Sequence, residues 1–409
     1  MRRGRRTSAL ASAALLGMAA CTVAVPGPRS APPSAASSNQ PSAGDAVPSA
    51  TSASRRLGLR DELDVLTFPR DLSGTTLEFV SDGSAILYSS SRAPDSALES
   101  APDLWRYEPG ATEPTLVWHN PERDHSIVRI AGDLGTAAFV DVPTDGERAW
   151  NLWLVPEPNA DAILLDTHPG DDDVSSLVPS FTVRDSLIAW TSFDRGPDGP
   201  VSQLFVASAP SWQPRLLQER HAAEAELWLP SVYGSHLVYT EVRYAPDRST
   251  DERFVYLLDL ADPEAEPMRL DTSGRATMPL ILSDTVLWKE TDPGLNMFTW
   301  GRMVACTIPD CEPEPISTAP QDEVNYPSVG ERFAAWWGLD SFSFGVYDLE
   351  RDQPRFIEIY PAESGDNVLR PHVSGSLLVW LFVDGPDPGG PSELRYAYLP
   401  MAGGDRLGD

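Results

Sequence analysis

The stretch PHVSGSLLVW at residues 371–380 constrains this chain more than any other feature, because the chain writes it repeatedly. Related phrases are PSFTVRDSLIAW from 179, PSVYGSHLVY from 230, PLILSDTVLW from 279 and PSVGERFAAW from 327. Two earlier stretches, EFVSDGSAILY and RIAGDLGTAAF, lack the proline but keep the spacing. The aromatic that ends each copy serves as a ruler. Tyr88, Phe139, Trp190, Tyr239, Trp288, Trp336 and Trp380 follow one another at intervals of 44 to 51 residues. So steady a period means stacked copies of one supersecondary unit, and it overrides the two or three domains that 409 residues would otherwise suggest.

Each unit has the same internal grammar. An apolar strand comes first, then a turn containing Gly or Asp, then a β-rich run into the aromatic, such as LVWLFV. A loop rich in Asp, Gly and Pro follows, then a third strand such as NLWLVP and a fourth such as RLLQE. Apolar runs rich in β-branched and aromatic residues mark strands covered on both faces. Four antiparallel strands per unit make a β-propeller blade. The seventh unit stops after its third strand, LRYAYL, and a spare strand, LDVLTF at 63–68, precedes the first unit. The expected fold is therefore all-β, a seven-bladed β-propeller with six or eight blades as the alternatives. The N-terminal strand 63–68 completes the last blade and closes the ring, which removes an exposed edge. The ruler aromatics are core residues first.

The units resemble the TolB-like propeller repeats, the Pro-Asp repeat family. FVSDGSAILYSSSR at 79–92 carries that pattern at Ser81, Asp82, Gly83, Tyr88, Ser91 and Arg92, and PHVSGSLLVW looks like its later variant. The resemblance spans about residues 63–400 and implies the propeller fold. It does not imply one activity, because such repeats serve scaffolds, binders and enzyme domains alike. TolB itself has an α/β domain ahead of its propeller. Here that place holds a segment of different composition.

The chain begins MRRGRRTSALASAALLGMAAC: a basic start, an apolar run too short to span a bilayer, then small residues and a cysteine. Met18, Ala19, Ala20 and Cys21 resemble the lipobox of a bacterial lipoprotein, with Met in the usual Leu place, which implies that Cys21 is acylated. An ordinary secretory signal with an incidental cysteine is the alternative. From Thr22 onward the chain is Ser, Ala, Pro and Gly with almost no large apolar residue, a composition that cannot offset its ordering entropy. The expected organisation is a lipoprotein signal over 1–21, a disordered tether over 22–58, a propeller over 59–402 and a disordered tail over 403–409. It places the protein in the cell envelope, lipid-anchored to the inner or outer membrane, as a monomer that meets the membrane through its lipid alone.

The formal net charge of −29 repels phosphate backbones, so nucleic acid is not an expected partner. The chain has no G-x-S-x-G, H-E-x-x-H, P-loop or C-x-x-C. Its six histidines (His119, His125, His168, His221, His236 and His372) lack metal-ligand spacing, although His125, His168 and His221 fall near blade junctions. Cys306 and Cys311 flank a four-residue loop in CTIPDC, between a third and a fourth strand, and export favours a structural hairpin disulfide. One set of acids stands just ahead of the innermost strand of most units: Asp124, Asp173, Glu226, Glu323 and Asp366, with Asp171 and Asp172 extending it. In a propeller these junctions surround one mouth of the channel, so the acids would form a negative funnel for a cation or a basic partner segment. No cofactor is expected; Ca²⁺ is the ion the acidic loops would take. The expected role is a non-catalytic binding or scaffold module for an envelope protein or polysaccharide. The alternative is a propeller-type polysaccharide lyase or glycosidase working through junction histidines and acids.

Overall fold

The computed structural model describes residues 63–399 except 69–74, 92–102, 121–124, 145–147, 171–177, 246–250, 263, 292–300, 317–323, 339–342, 349–352, 359–366 and 384–391; for 75–77, 91, 324–326, 338, 343, 353–358, 367–368 and 392 it describes the backbone alone. The expected signal with Cys21, the tether and the tail lie outside the described residues.

Seven four-stranded antiparallel sheets follow one another along the chain. Six are built from four consecutive strands; the second blade, for example, runs His125–Asp133, Thr136–Pro143, Trp150–Val155 and Ile163–His168. The seventh takes three strands from the C-terminal end (Asn367–Ser374, Leu377–Val383, Ser392–Tyr398) and its outermost strand, Leu66–Thr67, from the N-terminal end. This is the seven-bladed β-propeller that the repeat predicts. The closing pairs are Leu66 with Tyr396 and Thr67 with Arg395, and the Phe68 N–H donates to the Leu394 carbonyl at 2.9 Å. Phe68 then leaves the seventh blade and packs edge-on against two aromatics of the first, Tyr88 at 5.0 Å and Tyr107 at 4.7 Å between ring centres. The closing segment thus joins two blades at once.

All seven ruler aromatics are at most 1% exposed. Each lies on the second strand of its blade and packs into the slab between neighbouring sheets. Trp190 meets Val140 and Leu152 of the preceding blade, Trp288 meets Val238 and Val255, and Trp380 meets Phe333 and Phe344. Trp336 lies so close to Gly345 that a Cβ there would stand 2.1 Å from its Nε1. The recurring phrase is the inner half of each blade because that half touches both neighbours.

The phrase also carries a stitch between blades. In the proline-bearing copies, the residue after the proline can accept the backbone N–H that lies, counted from the ruler aromatic, one residue past the equivalent position in the next blade. Ser231 Oγ accepts from Ile281 N at 3.2 Å, Ser328 Oγ from Val373 N at 3.1 Å, and His372 Nδ1 from Ser81 N at 3.1 Å. The inner edge of a propeller sheet leaves such N–H groups without a ladder partner, and burying them unpaired is costly. Just before each proline the inner strand bulges, and Leu229, Met278 and Arg370 take φ of 51°, 53° and 52°. A left-handed non-glycine costs roughly 1–2 kcal/mol, so three such residues at one repeat position mark a bend the fold requires.

At the end of the ring formed by the first-to-second-strand turns, neighbouring blades touch turn to turn. Leu134 N donates to the Asp82 carbonyl at 2.8 Å, Asp185 N to Asp133 Oδ2 at 3.0 Å, and Gly234 N to Asp185 Oδ2 at 3.3 Å. Across the closing seam, a Cβ on Gly375 would stand 3.3 Å from the Gly83 carbonyl, and Gly375 itself has φ of 55°. Asp82, the aspartate of the family-like SDG, caps its own turn by accepting Ser84 N and Ala85 N and binds Arg106 Nε at 3.1 Å. The sixth blade makes the same turn-to-third-strand pair with the charges exchanged, Arg332 on the turn and Asp348 on the strand.

Two details go beyond the sequence reading. Phe181 stands opposite Trp190, and Pro179 lies two residues farther from the turn than the prolines of the fourth and fifth blades, whose turns have the same length. The fifth blade's outermost strand is only Glu314–Pro315, two residues with no apolar signal to announce them. The expected disulfide is present: Cys306 lies at the end of a third strand and joins Cys311, with Cα atoms 5.0 Å apart.

Candidate functional site

Antiparallel strands place the blade-to-blade links and the second-to-third-strand loops at the mouth opposite the interlocked turns. Of the five acids expected around that mouth, Asp124, Asp173, Glu323 and Asp366 lie outside the described residues, as do Asp171 and Asp172. Glu226 is described. It is the second residue of the inner strand Ala225–Tyr233 and is 9% exposed. Its Oε2 accepts from Trp228 Nε1 at 3.0 Å and from the Tyr244 hydroxyl at 2.8 Å. Glu226 thus holds two aromatic side chains in place at the mouth.

The same arc contains buried cations that composition did not foretell. Arg253, in the fourth blade, donates Nη1 to Thr291 Oγ1 at 2.9 Å and pairs through Nε with Asp251 at 3.0 Å. Lys289, on the second strand of the fifth blade, is fully buried. Burial, and then the charge of Arg253, push its ammonium down to about 7. The available signal was a lysine inside the apolar run VLWKET. The arc over blades four and five therefore mixes both signs of charge.

Two of the three junction histidines have separate partners. His125 opens the inner strand of the second blade and shares a 2.7 Å hydrogen bond between Nδ1 and Asp141 Oδ2; Asp141 Oδ1 also accepts from Trp153 Nε1 at 2.8 Å. His168 ends the same blade's outermost strand, stacks on Trp150 at 5.8 Å, and accepts from Gly170 N. His221 is exposed at the end of the third blade. Among the described residues no group of three His, Cys, Asp or Glu side chains is arranged to hold a metal ion.

Within the channel wall, the inner strands of the first and seventh blades are joined by Glu78 and Arg370, whose Nη2 reaches both carboxylate oxygens at 2.9 and 2.7 Å. His372 follows two residues later. Burial, with a smaller contribution from Arg370, pushes its imidazole down to about 4. The neutral ring accepting at Nδ1 accords with that direction. The closing seam thus combines a strand pair, an aromatic clasp, an ion pair and a histidine stitch.

Ring and channel define the chain as a seven-bladed β-propeller with a charged mouth. No protein-family model and no curated protein sequence matches it. Solved structures do. The β-propeller domain of the Trilobed protease from Pyrococcus furiosus, described as having an open velcro topology, superposes with a TM-score of 0.55 at 10% identity, over 79% of this chain and 94% of that one. The uncomplexed acylaminoacyl peptidase of Pyrococcus horikoshii gives 0.52 at 10% identity, over 79% of this chain and 51% of that one. These likenesses establish the fold. In this chain the Leu66–Thr67 strand closes the velcro.

Proposed function

We propose that this protein is an exported, lipid-anchored propeller of the TolB-like kind that works by binding. In this reading Cys21 carries the lipid, residues 22–58 set the propeller off the membrane, and the link-side mouth engages an envelope protein or polymer. The observation that carries it is the interlocking of the first-to-second-strand turns. Those contacts tie neighbouring blades together at one end of the ring, and in this reading the link side is the face that binds. At that face the described polar groups are held in fixed geometry, as Glu226 is by Trp228 and Tyr244, which suits recognition without rearrangement.

The test is a pull-down. Residues 57–409, oxidised, would be immobilised and exposed to detergent-solubilised envelope, beside a bait with Asp124, Asp173 and Asp366 changed to Asn and Glu226 and Glu323 changed to Gln. A protein or polymer captured by the first bait and lost from the second supports mouth binding. Equal capture by both baits moves the contact off the acids, and failure of either bait to retain any ligand removes the reading.

A further inference from the structure

On the flank between the third and fourth blades, three arginines gather around one aromatic pair. Arg220 comes from the outermost strand of the third blade (Arg215–His221), and Arg243 from the second strand of the fourth (His236–Tyr244). Arg269 belongs to the fourth blade's short outermost strand. Glu241 lies beneath them, 1% exposed, accepting Arg220 Nε at 2.9 Å and Arg243 Nε at 2.6 Å. Arg243 also donates Nη2 to the Tyr256 hydroxyl at 2.7 Å and lies over the Phe254 ring at 5.2 Å. Arg269 stacks on that same ring at 3.7 Å and gives its Nε to the Asp271 carbonyl at 2.6 Å. Tyr256 is where these charges meet. Burial and Glu241 push its hydroxyl up, while Arg243, Arg269 and Arg220 all act to lower it.

The division of labour within each guanidinium is the telling feature. In all three, Nε is spent on holding the side chain, and at least one terminal nitrogen (Nη2 of Arg220, Nη1 of Arg243, both Nη of Arg269) has no protein partner among the described residues. The guanidiniums face outward: the side chains of Arg220 and Arg243 are 35% and 48% exposed, and Arg269 is exposed. Fixing long exposed side chains costs rotamer entropy. Exposed ion pairs rarely offset that cost. Three more acids bear on the cleft: exposed Glu252, whose charge acts on Arg243, Glu219, which turns to Gln203 Nε2 at 2.8 Å, and buried Asp271, whose charge interacts with that of Arg269. Three arginines against four acids give the cleft no excess of positive charge, so its recognition lies in directed N–H donors. Forks of this kind match carboxylate and phosphate oxygens.

We infer that the cleft of Arg220, Arg243 and Arg269 is a binding site for an oxyanion of the carboxylate or phosphate class, carried on an anionic polymer. It is separate from the channel mouth and stands or falls independently of the mouth reading. Because the whole chain is strongly negative, a free anion gains nothing from the long-range field, and several short contacts along a polymer are needed for firm binding.

The experiment is isothermal titration of the full chain near physiological salt with a uronic-acid oligomer, inorganic phosphate and a neutral glucan. Arg243→Gln and Arg269→Gln are the loss variants. Arg243→Lys keeps the charge without the fork. Arg302→Gln is the control, since Arg302 is equally exposed and bound to Glu290 but lies outside the cluster. The expected result is oligomer binding weakened about tenfold or more by each cluster variant, Lys included, and unchanged by Arg302→Gln. Binding of phosphate alone, lost in the same variants, keeps the site and assigns it to a small free oxyanion. No binding of either anion, or equal loss in Arg302→Gln, overturns the proposal. Circular dichroism of each variant separates loss of the site from loss of the fold.

Discussion

His372 makes the closing seam sensitive to protons, and the effect can be worked through. Its ring is neutral in the fold because Nδ1 must accept the Ser81 N–H; a proton on Nδ1 would set donor against donor. The charged groups around the junction are Arg370 on the same strand, held by Glu78, then Asp82 with Arg106 in the first blade, and Glu331 and Arg332, the latter bound to Asp348, in the sixth. The folded pKa of about 4 lies below the ordinary 6.5, so the folded chain binds fewer protons than the unfolded chain between those values. The histidine's contribution is therefore complete above pH 6.5 and is lost as pH falls towards 4. Linkage puts the loss at about 2 kcal/mol by pH 5 and about 3 kcal/mol at the acid limit. Replacing His372 with Ser supplies the hydroxyl that the chain uses at Ser231 and Ser328. Urea unfolding of both proteins from pH 8 to 4.5 gives two stability curves whose difference isolates this residue, since the other five histidines are common to both. The wild type should lose the calculated amount relative to the variant, with the Ser81 amide exchanging faster as the stitch weakens. Parallel curves would refute the reasoning.

Two further outcomes follow from the seam and the turns. Phe68→Ala should destabilise by about 3–5 kcal/mol and expose the first and seventh blades to limited proteolysis before the others, whereas Phe333→Ala, equally buried between the sixth and seventh blades, should cost about as much without loosening the first blade. Asp348→Ala removes the buried carboxylate that holds the Arg332 guanidinium and should cost about 3–5 kcal/mol by chemical denaturation, while Arg332→Met with Asp348→Leu should recover most of it.

The architecture was legible because its signal is apolar and periodic. A buried aromatic once per blade survives any change in the loops, and Tyr88 through Trp380 kept the count even where the proline was missing. The spare strand before the first unit was legible for the same reason: an array one strand short at one end and long at the other closes on itself. Polar events were not legible. Nothing in PSVYG or PSVG says that the serine reaches across to the next blade's N–H, because the same residue in a hairpin bonds its own turn as readily. The register of the third blade was not legible for a related reason: its proline sits two residues off the strand register, and periodicity fixes spacing more surely than register. At the mouth, the acids ahead of most inner strands suggested a negative funnel, whereas Lys289 and Arg253 were hidden inside strand patterns. The oxyanion cleft joins residues 220, 243 and 269, which no window of the sequence brings together.

The short strand Leu66–Thr67 has a mechanical consequence. It is the first strand among the described residues, so tension applied to the residues before Leu63 arrives at Leu63, packed in the core of the sixth and seventh blades, then at two backbone pairs and the ring of Phe68, before it reaches the rest of the propeller. A pull that frees this strand exposes the edge of the seventh blade and removes the first blade's aromatic clasp together, while the other five blades keep all four of their own strands. The ring therefore has a preferred place to yield, and the segment that seals it is also the handle by which it is opened.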